Sequence, residues 1–279
     1  ISGRLKMTDS TVLINGQSLT IEDICAVAEQ AQSVELCKNQ DFVKRIDKGA
    51  EFIDKLLNEE GCVYGVTTGY GDSCTVSIPL ENVAELPKHL YTFHGCGLGQ
   101  YFTPQQTRAI LLVRLNSLAQ GFSGVRYLLL QRITELLQHD ILPLIPEEGS
   151  VGASGDLTPL SYLAAVLAGE REVIYQGEQC NAKDVFKERN ITPLVLKPKE
   201  GLALMNGTAV MTAVACIAYQ RAEYLSQLCT RLTSMASIAL KGNAYHYDEK
   251  LFTVKPHNGQ IKVAQRIRTD LHLSAEAPR

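Results

Sequence analysis

The 279-residue sequence predicts a mainly α fold: an N-terminal domain with minor β hairpins leading into the long helices of a central bundle. Two observations carry this. Apolar residues recur at helical spacing over most of the chain. From Gly207 to Lys241 there is neither proline nor interior glycine, and small apolar residues fall on several faces. A helix of about 33 residues is roughly 50 Å long at 1.5 Å per residue. Such a helix needs covering on more sides than one neighbour provides, which points to a bundle that includes other subunits. Arg221, Glu223 and Arg231 interrupt its middle and argue against membrane insertion.

The other elements follow in order. Thr20 ahead of Ile21-Glu22-Asp23 is an N-cap. Phe42, Ile46, Ala50, Ile53 and Leu57 mark one helical face, which Gly61 ends. Thr103-Pro104 starts a helix that Gly121 closes after Leu118. A further helix runs from about Gly124 to Gln138 and stops before Pro143 and Pro146. Leu157 to Leu167 is helical, with Gly169 past its end. Glu172 to Gln179 forms a hairpin around Gly177, and Asp184 to Arg189 a brief helix. We place one domain over 1–200 and the start of the central bundle over 201–279.

Hydrophobic residues make up 45% of the chain and charged ones 20%, the balance of a soluble globular protein. A net charge of -3 without a dense basic run argues against nucleic-acid or membrane-surface binding. Eight cysteines without C-x-x-C pairs indicate neither a zinc site nor a disulfide framework. A reducing, cytoplasmic setting is expected.

The densest chemistry lies in Gly149-Ser150-Val151-Gly152-Ala153-Ser154-Gly155-Asp156-Leu157. Three small residues between glycines let two peptide groups approach closely. Attack of the Gly155 nitrogen on the Ala153 carbonyl, with loss of water there and from Ser154, gives a methylidene-imidazolone. Read alone, the stretch is equally a glycine-rich turn with Ser or Asp capping the next helix. A serine-hydrolase reading of Ser154 lacks the G-x-S-x-G spacing, and no strand is predicted ahead of it.

This run resembles the signature of the histidine and aromatic amino acid ammonia-lyases, and three other segments are similar to that family. Val63 to Gly71, with Tyr64 and three glycines, resembles the inner active-site loop, which implies that Tyr64 is the catalytic base; Tyr70 stands where phenylalanine is usual. An unperturbed phenol titrates at about 10, so that role requires help from the site. Leu86 to Gly99 resembles the selectivity segment, which implies that Phe93 and His94 meet the substrate ring. Histidine lyases commonly carry Ser-His there, phenylalanine lyases Phe-Leu and some tyrosine lyases His-Leu or Ser-His, so Phe93-His94 is a hybrid. Glu200 to Thr208 resembles the segment whose Asn, here Asn206, positions the prosthetic group and substrate; by its residue type Asn206 is also a good N-cap for the long helix. Arg114 to Gly124 resembles scaffold beneath the site, and Lys255 to Gln260 a turn.

The resemblance implies elimination of ammonia from an aromatic L-amino acid to a trans-arylacrylate, with no metal or nucleotide. Tyr64, Ala153, Ser154, Gly155 and Asn206 are the implied catalytic set, and Phe93, His94 and Gly71 the implied substrate contacts. Tyrosine is the favoured substrate, histidine next. Family members are homotetramers nearly twice as long, and their later half supplies a carboxylate-binding Arg and a Tyr from a neighbouring subunit. The 279 residues alone are therefore expected to be inactive. A 2,3-aminomutase and a non-catalytic oligomerising fragment are the alternatives.

Overall fold

The computed structural model describes residues 10–59 and 62–273. Contacts divide the chain into two compact units, Ile1–Ile217 and Ala218–Arg279.

The first unit opens with β1 (Thr11–Ile14), α1 (Ile21–Ala28) and β2 (Ser33–Leu36). The strands pair in parallel, with Val12, Ile14, Val34 and Leu36 turned into the core. This pair is not a hairpin, and four-residue strands were too short to register as a period-two pattern. The α1 start is a capping box: Thr20 Oγ1 accepts the Asp23 amide at 3.1 Å and Asp23 accepts the Thr20 amide at 3.0 Å. In α2 (Gln40–Asn58) Phe42, Ile46 and Ala50 are buried. Its expected terminator Gly61 lies outside the described residues.

Next come α3 (Leu80–Val83), α4 (Leu86–Phe93) and β3 (Leu98–Tyr101). The following α5 (Pro104–Ala119) starts with a second capping box, from Thr103 and Gln106, and is buried over nine of its sixteen residues. Its neighbour α6 spans Tyr127–Gln138. Two short strands follow, β4 (Leu142–Pro143) and β5 (Pro146–Glu148), the latter antiparallel to β3. A strand therefore does precede the Gly149–Gly155 run, against the sequence expectation. Its first residue, Pro146, obscures it in the sequence, because proline lacks the amide that a paired strand uses.

Helix α7 (Leu157–Leu167) is buried from Thr158 to Leu167. Gly169, at φ +79°, ends it, with its amide donating to Val166 O at 2.8 Å. The hairpin of β6 (Glu172–Tyr175) and β7 (Glu178–Asn181) turns on Gln176 and Gly177, both left-handed. Then come α8 (Ala182–Glu188), α9 (Glu200–Met205) and α10 (Ala209–Ala239). The buried carboxylate of Glu200 accepts from the Arg126 side chain at 2.7 and 2.9 Å and fixes where α9 begins.

In the second unit the later part of α10 packs on α12 (Asn258–Leu273), after a short α11 (Glu249–Thr253). Ser234 donates to Asp270 at 2.9 Å, Arg231 pairs with the same carboxylate, and Arg268 donates to Tyr247 O at 2.7 Å. Asn258 thus opens a helix rather than shaping only a turn. Among the described residues no helix is long and apolar enough to cross a membrane.

Candidate active site

The Ala153–Gly155 run is held as a closed turn. Gly152 and Gly155 face each other in an antiparallel bridge, and Ser154 between them has φ +54°. A left-handed backbone is unfavourable for a residue with a Cβ and is kept only where the surroundings impose it. Gly155 has φ +81°, and a Cβ there would lie 2.2 Å from Gly207 O. Glycine at 155 is thus required by a close backbone approach as well as by conformation.

Asp156 supplies the frame. Its amide donates to Gly207 O at 2.7 Å, and its Oδ2 accepts the Val210 and Met211 amides at 2.9 and 3.0 Å. Ser150 Oγ donates to Oδ1 at 3.0 Å. Asp156 sits at the N-cap position of α7 yet makes no capping bond there; it caps α10 instead. Its negative charge at that helix start is electrostatically favourable. Asn206 is therefore not the N-cap of the long helix: it terminates α9, its amide donating to Leu202 O at 2.8 Å. Because Asp156 takes the α10 amides, the Asn206 side chain is free to face the cavity.

Arg114, read from sequence as scaffold, is buried beneath this junction. Its guanidinium donates to Ala203 O and, at 3.0 Å, to Asn206 O. Burial pushes it down to about 10, opposed by nearby Asp156, so it is still a cation at neutral pH. A Cβ on Gly207 would lie 2.3 Å from its Nη1. Nothing in the local pattern announced this role, since its partners lie some ninety residues away.

The Tyr64 loop is closed by its own threonines. Thr67 Oγ1 accepts the Val63 amide at 2.9 Å, Thr68 Oγ1 the Gly65 amide at 3.1 Å, and Ile78 donates to Thr67 O at 2.9 Å. The Gly71 amide donates to Tyr64 Oη at 2.9 Å. That leaves the Tyr64 hydroxyl, on a side chain 48% exposed, available to a bound molecule. Burial, with Tyr64 nearby, pushes the Tyr70 phenol up to about 12, so Tyr70 stays protonated.

On α4, Leu86, His89, Leu90 and Phe93 share the face that continues into His94. The Phe93 and His94 rings meet edge to face at 5.2 Å between centroids. Burial lowers the His94 pKa, so the imidazole is neutral at pH 7 and can either donate or accept one hydrogen bond. The sign has a stability consequence: the contribution is present above the ordinary value of about 6.5 and is lost as pH falls through the lowered one. An NMR titration of His94 is expected to give a midpoint below that of a free histidine; a midpoint at or above it overturns the burial argument.

These segments converge on one cavity of about 490 Å³. Tyr64, Tyr70 and Gly71 line it from one loop, Phe93 and His94 from α4, Ser154 and Leu157 from the α7 start, and Leu202 and Asn206 from α9. Ala153 and Gly155 flank Ser154 without lining the cavity. Tyr70, noted in the sequence only as a departure from phenylalanine, lines the cavity, as do His89 and Leu202, which the sequence did not single out; the i, i+3, i+4 spacing of Leu86, His89 and Leu90 is the signal that points to His89. Among the described residues no group of three or more His, Cys, Asp or Glu could hold a metal ion.

The serine-bearing turn, the tyrosine-bearing loop and the Phe93–His94 pair thus surround one cavity in a helical domain. The chain belongs to the aromatic amino acid lyase family, whose profile matches residues 19–277. It is 39% identical over 257 residues to the histidine ammonia-lyase of Shouchella clausii, a match covering 92% of this chain and 51% of that one. The tyrosine aminomutase of Streptomyces globisporus superposes with TM-score 0.86 at 35% identity, over 93% of this chain and 48% of that one. The phenylalanine aminomutase of Pantoea agglomerans gives 0.88 at 30% identity, over 97% and 52%. The chain spans about half the length of the curated relatives it matches.

Proposed function

We propose that the protein containing this chain eliminates ammonia from an aromatic L-amino acid to give a trans-arylacrylate, with a methylidene-imidazolone formed from Ala153-Ser154-Gly155. The observation that carries this reading is the convergence of Tyr64, Phe93-His94, Ser154 and Asn206 on one cavity. The turn fits the group: its ends are already bridged, and Gly155 stands where no Cβ fits. When formed, the group supplies an electrophile that makes the substrate amine a better leaving group. Tyr64 takes the β-proton at its Oη. Phe93 gives the ring an apolar wall, His94 hydrogen-bonds its polar edge, and Asn206 orients the carboxylate or amine. Gly71, whose amide holds Tyr64 Oη, sets the distance from base to ring. A 2,3-aminomutase on the same scaffold is the second reading, supported by the likeness to the tyrosine and phenylalanine aminomutase structures. Product analysis separates the two: an arylacrylate with free ammonia, or a β-amino acid.

Tyrosine ranks above histidine and phenylalanine as substrate, because one neutral imidazole beside one phenyl wall suits a ring that is largely apolar with a single polar group. His94→Leu in the full-length protein is expected to lower kcat/KM for tyrosine relative to phenylalanine about tenfold or more, since an unpaired buried phenol costs about 1–3 kcal/mol. An unchanged ratio removes His94 from ring recognition.

The working form is a homotetramer of the cytoplasmic compartment. On α10, Tyr224, Leu225, Leu228, Leu232 and Met235 are exposed, an apolar face that a partner copy would cover. The 279-residue chain is therefore expected to self-associate, and its activity is expected to depend on that assembly. Light scattering with an ammonia-release assay checks this; a well-behaved, active monomer overturns it.

A further inference from the structure

We propose that the Glu170–Arg171 turn is a positioning element for ring selection, clamping the Phe93–His94 segment from both flanks. The proposal rests on the functional reading above and adds residues that touch neither substrate nor reacting atoms.

On the helix side, Tyr91 of α4 donates its hydroxyl to Glu170 Oε1 at 3.1 Å, and Lys88 Nζ lies 3.9 Å from the same oxygen. Burial, with Glu170 beside it, pushes the Tyr91 phenol up to about 12, which keeps the donor protonated. On the loop side, the Arg171 guanidinium lies 4.1 Å over the Tyr162 ring, a cation–π contact. Tyr162 Oη in turn accepts the Gly97 amide at 3.1 Å, and Arg171 Nη2 reaches Gly95 O at 3.4 Å. Two consecutive residues thus grip the chain just before and just after Phe93-His94.

The backbone is built for this grip. Arg171 adopts φ +66°, unfavourable for a residue with a side chain, and its carbonyl is held by the Ala182 amide at 2.9 Å. Gly95 has no such conformational need. Its requirement for glycine is spatial: a Cβ there would lie 1.5 Å from Arg171 Nη2, so the guanidinium occupies the volume a side chain would fill. Beyond the end of α4 the main-chain bonds of residues 94–96 are His94 N to Leu90 O at 3.1 Å, Gly95 N to Thr92 O at 3.2 Å and Cys96 N to His94 O at 2.9 Å, all of them to α4 or within the segment itself. The clamp ties this segment to the rest of the domain and so adds to how firmly His94 faces the cavity. Selectivity between a phenol and a phenyl ring depends on that firmness, because a loose imidazole can pair with water instead.

Four variants test it: Arg171→Ala, Arg171→Lys, Tyr162→Phe and Gly95→Ala, the last of which evicts the guanidinium without altering Arg171 itself. In this chain the Gly97 amide, whose acceptor is a side chain, is expected to exchange with solvent at least about tenfold faster in Arg171→Ala and Tyr162→Phe. In the full-length protein, Arg171→Ala and Gly95→Ala are expected to lower the tyrosine-to-phenylalanine ratio of kcat/KM about tenfold, mostly through KM. Loss of two waters from the 153–155 peptide should be unaffected, and Arg171→Lys should recover part of the ratio. The two alanine variants should be non-additive, since both remove one interaction. Unchanged Gly97 exchange overturns the clamp. Faster exchange with an unchanged ratio overturns its role in selection. A parent protein that shows neither the mass loss nor ammonia release overturns the functional reading, and ring selection with it.

Discussion

Ser154→Ala in the full-length protein is expected to abolish ammonia elimination while leaving the fold in place. Ring closure between Ala153 and Gly155 does not by itself create an exocyclic double bond; the Ser154 hydroxyl must leave, and alanine has nothing to lose. The variant should show at most one water lost from the 153–155 peptide, against two in the parent. Ser154 Oγ makes no hydrogen bond that supports the loop, whose frame comes from Ser150, Asp156 and Gly207, so stability should change little. The positive φ of Ser154 strains serine and alanine alike, so the substitution adds little backbone cost. Intact mass, thermal denaturation and ammonia release on one sample decide the matter. Wild-type turnover in Ser154→Ala rejects the electrophile assignment.

Tyr64→Phe should lower kcat by at least about 10²-fold with KM little changed, the low end for removal of a general base. The loop should hold, because its closure depends on Thr67 and Thr68 rather than on the phenol. Among the described residues the bond lost is the one donated by the Gly71 amide to a half-exposed oxygen, about 1 kcal/mol. Tyr70 does not replace the lost group: its phenol, pushed up to about 12, gives up its proton even less readily than a free tyrosine. A kcat within a factor of about three of the parent, less than a single general base contributes, removes Tyr64 from the base role.

The chain's own letters determined the helical class, most element starts, and the four segments that carry the site. Those features are local. Thr20 and Thr103 cap helices through residues three positions on, Gly169 ends α7 through its own backbone, and Gln176-Gly177 turns a hairpin within four residues. Each depends on neighbours close in sequence, so pattern and propensity suffice to find it.

Tertiary structure alone decided which groups meet. Asp156 reads as the cap of the helix it precedes, yet its oxygens serve α10, more than fifty residues away. Asn206 reads as the cap of α10 and is displaced from that task by Asp156, which turns its side chain toward the cavity. Arg114 sits in a helix with apolar residues on every side, and only the crossing of α9 shows why a cation is buried there. An orphan donor or acceptor accepts any partner of the right chemistry, so its local sequence does not say which one the folded backbone will deliver. That choice is made by the packing of α4, α7 and α9 against one another.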